Sequence, residues 1–155
     1  MTGRTKLCLI MTAILPLLTL FLISCDLTSP QDSAKIEIKD TLYNLGSWFN
    51  LKDISSIMTK VDTDYRHNGN LRWNFRELWL DRMAEYSLLS IDGIVISVNG
   101  DYATVYMTLN FDAATSSLEL IEPEDSGDVS YFHFNGSNWM IYGNQEFVKK
   151  GITHE

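Results

Sequence analysis

The sequence predicts an α+β domain, with helices in its first half and an antiparallel sheet in its second. Apolar residues recur every three or four positions between residues 34 and 89, which is the spacing of one helix face. From residue 94 onward apolar and polar residues alternate, as they do in a strand with one buried face. Asn99-Gly100 then supplies a tight hairpin turn, because both residues tolerate positive φ. Helices followed by hairpin-connected strands are typical of the α+β class.

Three helices are predicted from this spacing. The first begins at Ser33, and its apolar face consists of Ala34, Ile38, Leu42, Leu45 and Phe49. The second has Asn50 as its N-cap, and its apolar face consists of Ile54, Ile57, Met58 and Val61. The third extends roughly from Trp73 to Leu89, and its apolar face consists of Phe75, Leu78, Trp79, Met83, Tyr86 and Leu89.

The predicted sheet is built from two hairpins and a strand between them. Residues 94–98 pair through the Asn99-Gly100 turn with residues 102–111. The apolar face of the return strand consists of Ala103, Val105, Met107, Leu109 and Phe111, and its other face of Tyr102, Thr104, Tyr106, Thr108 and Asn110. A third strand lies around Leu118 and Leu120, and residues 129–142 form the second hairpin. We expect the apolar face to pack against the three helices.

Charge and cysteine content exclude several classes of protein. The 155 residues include 12 Lys and Arg against 20 Asp and Glu, a formal net charge of −8. Nucleic-acid binding depends on clustered Lys and Arg facing phosphates, so an acidic chain argues against it. Two cysteines cannot build a disulfide-dense scaffold or a four-thiolate metal site.

The first 24 residues are predicted to be a signal peptide. A basic start is followed by an uncharged apolar run from residue 7 to residue 24, the order found in secretory signals. Leu22-Ile23-Ser24-Cys25 resembles the bacterial lipobox. The resemblance implies cleavage between Ser24 and Cys25 and lipidation of Cys25. Two other interpretations remain open, a membrane anchor of about 18 residues and an ordinary secretory signal with an incidental Cys.

These boundaries predict a bacterial lipoprotein held in the cell envelope. Residues 25–32 would form a lipidated tether, residues 33–148 the folded domain and residues 149–155 a frayed tail. Two or three acyl chains would give firm membrane anchoring. The domain would face the periplasm or the cell surface. Asp26 resembles the enterobacterial signal that retains lipoproteins in the inner membrane.

Four segments within residues 33–145 resemble the nuclear transport factor 2-like, or SnoaL-like, superfamily. They are helix two running into residues 62–69, helix three with Trp79 and Arg82, the hairpin 98–105 and the last strand 138–145. The resemblance implies three helices on a curved antiparallel sheet that together form a cone. Helix one, the loop after helix two and the concave sheet face would line its mouth. Members include isomerases, cyclases, dehydratases and binding domains without catalytic activity, so the fold does not choose the function.

Nine residues are candidates for lining such a pocket: Asp64, Tyr65, His67, Trp79, Arg82, Tyr106, Tyr131, His133 and Trp139. Asp62 or Asp64 beside His67 could form an acid–base pair, or the three could belong to a polar loop. The aromatic side chains could hold a flat or apolar ligand, or could simply be core. Arg82 could bind an anion or pair with a neighbouring carboxylate on the surface.

No metal or cofactor site is predicted from these residues. Asp62-x-Asp64 opens like a calcium loop, but His67 occupies the sixth position, where an EF-hand needs Gly. His67 and His133 do not have the two-His spacing of a metal-binding helix.

Two hypotheses for the function follow. The first is a lipid-anchored envelope protein that binds a small apolar or aromatic ligand or a protein partner, with no catalysis and with a homodimer as one arrangement. The second is an enzyme of the isomerase, cyclase or dehydratase type that uses an Asp/His pair on a small hydrophobic substrate. The sequence contains no Ser-centred elbow, Gly-rich phosphate loop or metal motif that would support the second hypothesis.

Overall fold

The computed structural model describes residues 29–147. The predicted signal peptide, Cys25 and the tail from residue 149 lie outside these residues. The described chain forms three helices, α1 (Pro30–Asn50), α2 (Ile54–Met58) and α3 (Arg72–Glu85). Its strands are β1 (Arg66–His67), β2 (Asn70–Leu71), β3 (Leu88–Asn99), β4 (Tyr102–Asp112), β5 (Ser117–Glu122), β6 (Tyr131–Phe134) and β7 (Trp139–Ile141). The helices pack on an antiparallel sheet, so the α+β class is confirmed.

Two helix starts differ from the prediction because the caps differ. α1 begins at Pro30, where Ser29 is the N-cap and accepts a hydrogen bond from the Asp32 N–H at 3.1 Å. α2 is capped by Asp53, which accepts from the Ser56 N–H. Asn50, the predicted cap of α2, remains in α1 and accepts from the Leu89 N–H at 2.7 Å. The cap prediction for Asn50 is therefore wrong, and its amide ties the end of α1 to β3.

The third helix is shorter than the sequence predicts. It ends at Glu85, and Tyr86 already has extended backbone angles. Leu89, predicted as its last apolar residue, belongs to β3 and is buried there. Leu78, predicted on the apolar face, is exposed. Hydrophobic periodicity alone could not show where α3 ends and β3 begins. Apolar residues at the end of a helix and at the start of a buried strand give the same pattern.

The long strand β4 is the centre of the sheet. It pairs antiparallel with β3 through the predicted turn, with Asn99 opposite Tyr102. Two strands share its other edge, since β5 pairs with residues 107–112 and β6 with residues 102–104. β7 then pairs with β6. Residues 123–130 therefore leave the edge of β4 as a loop and return to it, and this loop is called the β5–β6 loop below.

The side of β4 that packs against the helices is the predicted one. Its apolar residues, Ala103, Val105, Met107, Leu109 and Phe111, are all buried, whereas Tyr102 and Tyr106 are exposed. The space between helices and sheet is filled by aromatic rings. Phe111 contacts Phe49 edge-on at 5.3 Å and Trp79 at 6.2 Å between ring centroids, and Phe75 stacks on Trp79 at 5.4 Å. Such packing contributes both buried area and aromatic contacts to stability.

Candidate functional site

A buried polar cluster joins α3 to the β5–β6 loop. Trp79 and Arg82 are three residues apart on α3 and so lie on one helix face. The Trp79 Nε1–H donates to Asp128 Oδ2 at 2.7 Å, and Arg82 Nη1 donates to the same oxygen at 2.9 Å. Ser126 donates its hydroxyl to the other oxygen, Asp128 Oδ1. The carboxylate is therefore held on both oxygens.

The charge of Asp128 is stabilised although the residue is buried. Burial by itself would raise the pKa of the carboxyl, because a low-dielectric surrounding disfavours the charged form. The Arg82 guanidinium and the hydrogen bonds from Ser126 and Trp79 outweigh burial and hold the pKa of Asp128 below its ordinary value. Arg82, predicted either to bind an anion or to pair on the surface, instead forms a buried ion pair with Asp128.

Tyr65 belongs to the same cluster. Its hydroxyl donates to the Asp128 backbone carbonyl at 3.1 Å, and its ring contacts Phe75 edge-on at 5.2 Å. Burial, followed by the nearby Asp128 charge, raises the pKa of Tyr65 far above its ordinary value. Tyr65 is therefore a neutral hydroxyl donor that braces the loop.

His67 is buried, and both of its ring nitrogens have backbone partners. Its Nε2 lies 2.7 Å from the Ser126 carbonyl oxygen, and its Nδ1 accepts from the Asn144 N–H at 3.3 Å. The side-chain amide nitrogen of Asn68 also lies 3.0 Å from Nε2. The ring also stacks on Tyr131 at 5.9 Å between centroids. His67 thus connects β1, the β5–β6 loop and the end of the described chain.

The Asp64/His67 acid–base pair is not assembled in this arrangement. Asp64 is exposed, and its backbone N–H donates to Asp62 Oδ1 at 2.8 Å within the loop. Asp62 therefore braces a turn. Within residues 29–147 no group of three or more His, Cys, Asp or Glu side chains is placed to hold a metal ion.

Glu122 at the end of β5 is a buried carboxyl with a raised pKa. It is buried, and its Oε2 accepts from the Gly127 N–H and from the Ser130 hydroxyl at 3.0 Å. Its Oε1 has no hydrogen-bond partner among the described residues. Burial first, and then the charge of Asp128, raise the pKa of Glu122 to about 7. That value suits proton transfer, but a carboxyl sealed in the interior cannot reach a substrate in this conformation.

A second aromatic group lies on the other part of the sheet. The His133 ring on β6 lies between the Tyr102 and Tyr142 rings, tilted by 34° and 32°, with 4.8 Å between ring centroids on each side. Its Nδ1 is buried and has no hydrogen-bond partner among residues 29–147. His133 and His67 contact different rings, so the structure does not bring the two histidines into one site.

The two remaining candidates lie apart from the polar cluster. Trp139 on β7 is buried, and its backbone N–H donates to Glu37 Oε1 at 2.9 Å. It lines a cleft of about 470 Å³ together with Ala34, Val98 and Phe134, where α1 meets the sheet. Tyr106 is exposed on the outer face of β4, opposite Val95 of β3. The nine candidates therefore divide among the cluster around Asp128, the His133 stack, two separate surfaces and the exposed loop at Asp64.

Asp64 borders a larger open groove of about 580 Å³. It lies between the loop after α2, the first turn of α3 and the end of the described chain. Three arginines, Arg66, Arg72 and Arg76, line it together with Trp73 and Phe147. This surface is called the arginine groove below.

Sequence reasoning missed the arginine groove and most of the buried cluster. Residues 123–128 contain the Pro, Gly and acidic residues of a turn, and nothing local shows that Asp128 points inward. The signal for the groove was present but weak. Arg72 and Arg76 are four residues apart and flank Trp73 in a chain with few cations.

Comparison with known proteins shows a similarity of fold to solved structures, but no similarity of sequence to a known family. No protein-family model matches the sequence, and no curated protein matches it. Among solved structures, Bdellovibrio bacteriovorus Bd1075 aligns with a TM-score of 0.56 and 11% identity over 74% of this chain. This chain spans only 41% of that protein. None of the described helices is long and apolar enough to cross a membrane.

Two further structures align over most of their own length. A protein of unknown function from Mycobacterium tuberculosis has a TM-score of 0.53 and 15% identity, covering 76% of this chain and 74% of that one. A Nostoc punctiforme protein of unknown function with a cystatin-like fold has a TM-score of 0.54 and 13% identity, covering 74% and 89%. This chain is thus similar in fold to proteins in which helices pack on an antiparallel sheet. Sequence identities of 11–15% do not indicate a shared function.

Proposed function

We propose that the chain is a lipid-anchored protein of the bacterial cell envelope whose nuclear transport factor 2-like domain binds a small ligand without catalysing a reaction. The likeness to a cystatin-like fold supports the domain. The lipobox-like Leu22-Ile23-Ser24-Cys25 supports anchoring through lipid on Cys25.

The observation that carries the non-catalytic proposal is the hydrogen bonding of His67. A general base needs a free nitrogen within reach of the substrate proton. Both ring nitrogens of His67 have backbone partners, and the ring is buried. Arg82 and Asp128 likewise form an ion pair with each other. These contacts support a structural role for His67, the candidate acid–base residue, and for Arg82, the candidate anion-binding residue.

Open surface next to this cluster supports a binding role. The arginine groove is large enough for a small organic molecule, and pockets of this kind combine apolar walls with a few polar groups. The exposed rings of Tyr102 and Tyr106 on the outer sheet face offer a second surface, suited to a protein partner or another copy of the chain.

Anchoring is tested by the substitution Cys25→Ser in the native host. We expect the variant to be released from membranes or to remain unprocessed, because the acyl chains supply the membrane affinity. Normal cleavage and unchanged membrane retention would refute the lipoprotein assignment.

Binding is tested by a native mass spectrum of the full chain released from detergent. We expect an added mass beyond the lipid modification that disappears on mild denaturation. The same spectrum gives the oligomeric state. Absence of any retained mass, together with no binding in a screen of small organic anions, would refute the binding role.

A further inference from the structure

The arginine groove is a positively charged surface on an acidic protein. The chain has a formal net charge of −8, yet three of the four arginines within residues 29–147 line this one groove. Among the described residues that line it, Asp64 is the one carboxylate. Clefts lined by one sign of charge concentrate ligands of the opposite sign. The charge distribution therefore favours an anion in the groove.

Ion pairs within the described residues leave most of the charge of the three arginines uncompensated. Arg66 and Arg72 form no ion pair within the described residues, and Arg76 pairs with Glu77 in an exposed contact. Arg72 is fixed in place, because its Nε and Nη2 donate to the Val61 and Met58 carbonyls at 3.1 and 2.6 Å. Arg72 therefore holds one positive charge at a fixed place in the wall of the groove.

The first turn of α3 adds to the positive field. Its N-cap is Leu71, which supplies no side-chain hydrogen bond but donates its own N–H to Asn74 Oδ1 at 2.9 Å, and the first turn contains no acidic residue. Arg72 and Arg76 stand at this end instead, although the helix dipole disfavours cations there. An anion at this end would interact favourably with both the helix terminus and the arginines. The sequence thus accepts an unfavourable arrangement that a bound anion would relieve.

Two exposed aromatic rings give the groove apolar walls. Trp73 is 63% exposed and Phe147 is 77% exposed. The Arg66 guanidinium lies 4.1 Å from the centre of the Phe147 ring. Large exposed rings beside cations are typical of sites that stack a flat group while holding its charge.

We propose that the arginine groove binds a small organic anion in which a phosphate or carboxylate is joined to a flat apolar group. Arg66 and Arg76 hold the anionic oxygens, with Arg72 as a fixed wall, and Trp73 covers the flat group. This inference rests on the proposed binding function and names the site and the ligand class. The paired donors of a guanidinium match the geometry of both oxyanions.

The test uses the full lipidated chain in neutral detergent at constant ionic strength, with phenyl phosphate, inorganic phosphate and phenol as probes. We expect saturable binding of phenyl phosphate that is tighter than that of either fragment, measured by calorimetry. The double substitution Arg66→Gln/Arg76→Gln should weaken it at least about tenfold, the loss of one or two charge-assisted contacts. Trp73→Ala should weaken phenyl phosphate but leave inorganic phosphate unchanged.

The control is Lys35→Gln, which removes an exposed cation of α1 outside the groove. It should bind phenyl phosphate as the parent does. If the double variant does not melt cooperatively, Arg76→Gln and Trp73→Ala alone decide the question, since both side chains are exposed. Equal binding by parent and groove variants would overturn the proposal.

Two results separate this inference from the proposed function. If the parent and the groove variants retain the same added mass in the native spectrum, the ligand binds outside the groove. The proposed binding function would then be kept, and the groove proposal would be wrong. Quenching of tryptophan fluorescence by brominated phosphatidylglycerol in nanodiscs that is lost in Trp73→Ala, without phenyl phosphate binding, would make the groove a contact to the lipid surface. That result would also overturn the proposal.

Discussion

The Arg82 guanidinium and the Asp128 carboxylate lie 2.9 Å apart, with side-chain exposures of 10% and 5%. They are the point at which α3 and the β5–β6 loop meet. Because Trp79 and Ser126 also donate to the carboxylate, the charge of Asp128 is compensated from several directions. The ion pair therefore fixes the β5–β6 loop against α3. Its removal should lower the free energy of unfolding.

Asp128→Asn should lower the free energy of unfolding by about 3–5 kcal/mol, because it leaves the buried Arg82 charge without its partner. Chemical denaturation of parent and variant measures this directly. The exposed pair between Arg76 and Glu77 provides the matched control, with side-chain exposures of 47% and 58%. Glu77→Gln should change the free energy of unfolding by less than about 1 kcal/mol. Equal effects at the two sites would contradict the structural role of the buried pair.

Val105→Asp should unfold the domain, whereas Thr104→Asp should be tolerated. Val105 is fully buried between sheet and helices, and an unpaired carboxylate there costs several kcal/mol. Thr104 is the neighbouring residue on the other face of β4 and is only partly buried. Thermal melts of the two variants compare the faces at nearly the same position. Similar destabilisation by both would mean that the outer face of β4 is covered by a partner.

Gly127→Ala should destabilise the β5–β6 loop more than Gly136→Ala destabilises the last hairpin. Both glycines have positive φ, at 74° and 92°, so both variants suffer backbone strain of about 1–2 kcal/mol. Only at Gly127 would the new Cβ meet other atoms, namely His67 Cε1 at 3.0 Å and the Pro123 carbonyl oxygen at 3.1 Å. Denaturation measures the difference. A larger effect at Gly136 would show that His67 does not press on this loop.

Local patterns predicted the main helices and strands, but not all of their boundaries and not their partners. The period of two identified both faces of β4, because one face is buried along its whole length and the register follows from the Asn99-Gly100 turn. Asp128 could not be found in this way. It lies 46 residues from Arg82, and an acidic loop that folds inward has the same composition as one that stays in water.

The candidate site shows the same limit. Tyr65, His67, Trp79 and Arg82 are four of the nine candidates, and the structure places all four around the β5–β6 loop. Their roles could not be read from the sequence, because a buried structural His and a catalytic His are the same residue with different partners. The partners here are backbone groups of residues 126 and 144, which lie far along the chain.

Glu122 has a pKa of about 7, above its ordinary value of 4.5. The folded state therefore binds the proton more tightly than the unfolded state does. Between pH 4.5 and pH 7 the parent should lose stability as pH rises, with a slope of at most about 1.4 kcal/mol per pH unit, and should level off above pH 7. The effect of Asp128 on the free energy of unfolding has the opposite sign, because its pKa is lowered in the folded state. Its contribution is lost only as pH falls below the ordinary value of 3.8, so it does not overlap with the effect of Glu122.

Glu122→Gln isolates this effect, because the amide oxygen can still accept from Gly127 and Ser130 but cannot ionise. The free energy of unfolding of the variant minus that of the parent should rise between pH 4.5 and pH 7 and stay constant above it. Denaturant titrations at closely spaced pH values measure the curve. Glu124→Gln, at an exposed position of the same loop, is the control and should give a flatter difference. A pH-independent difference for Glu122→Gln would mean that the carboxyl is solvated, and that the β5–β6 loop opens far enough to admit water to its buried side.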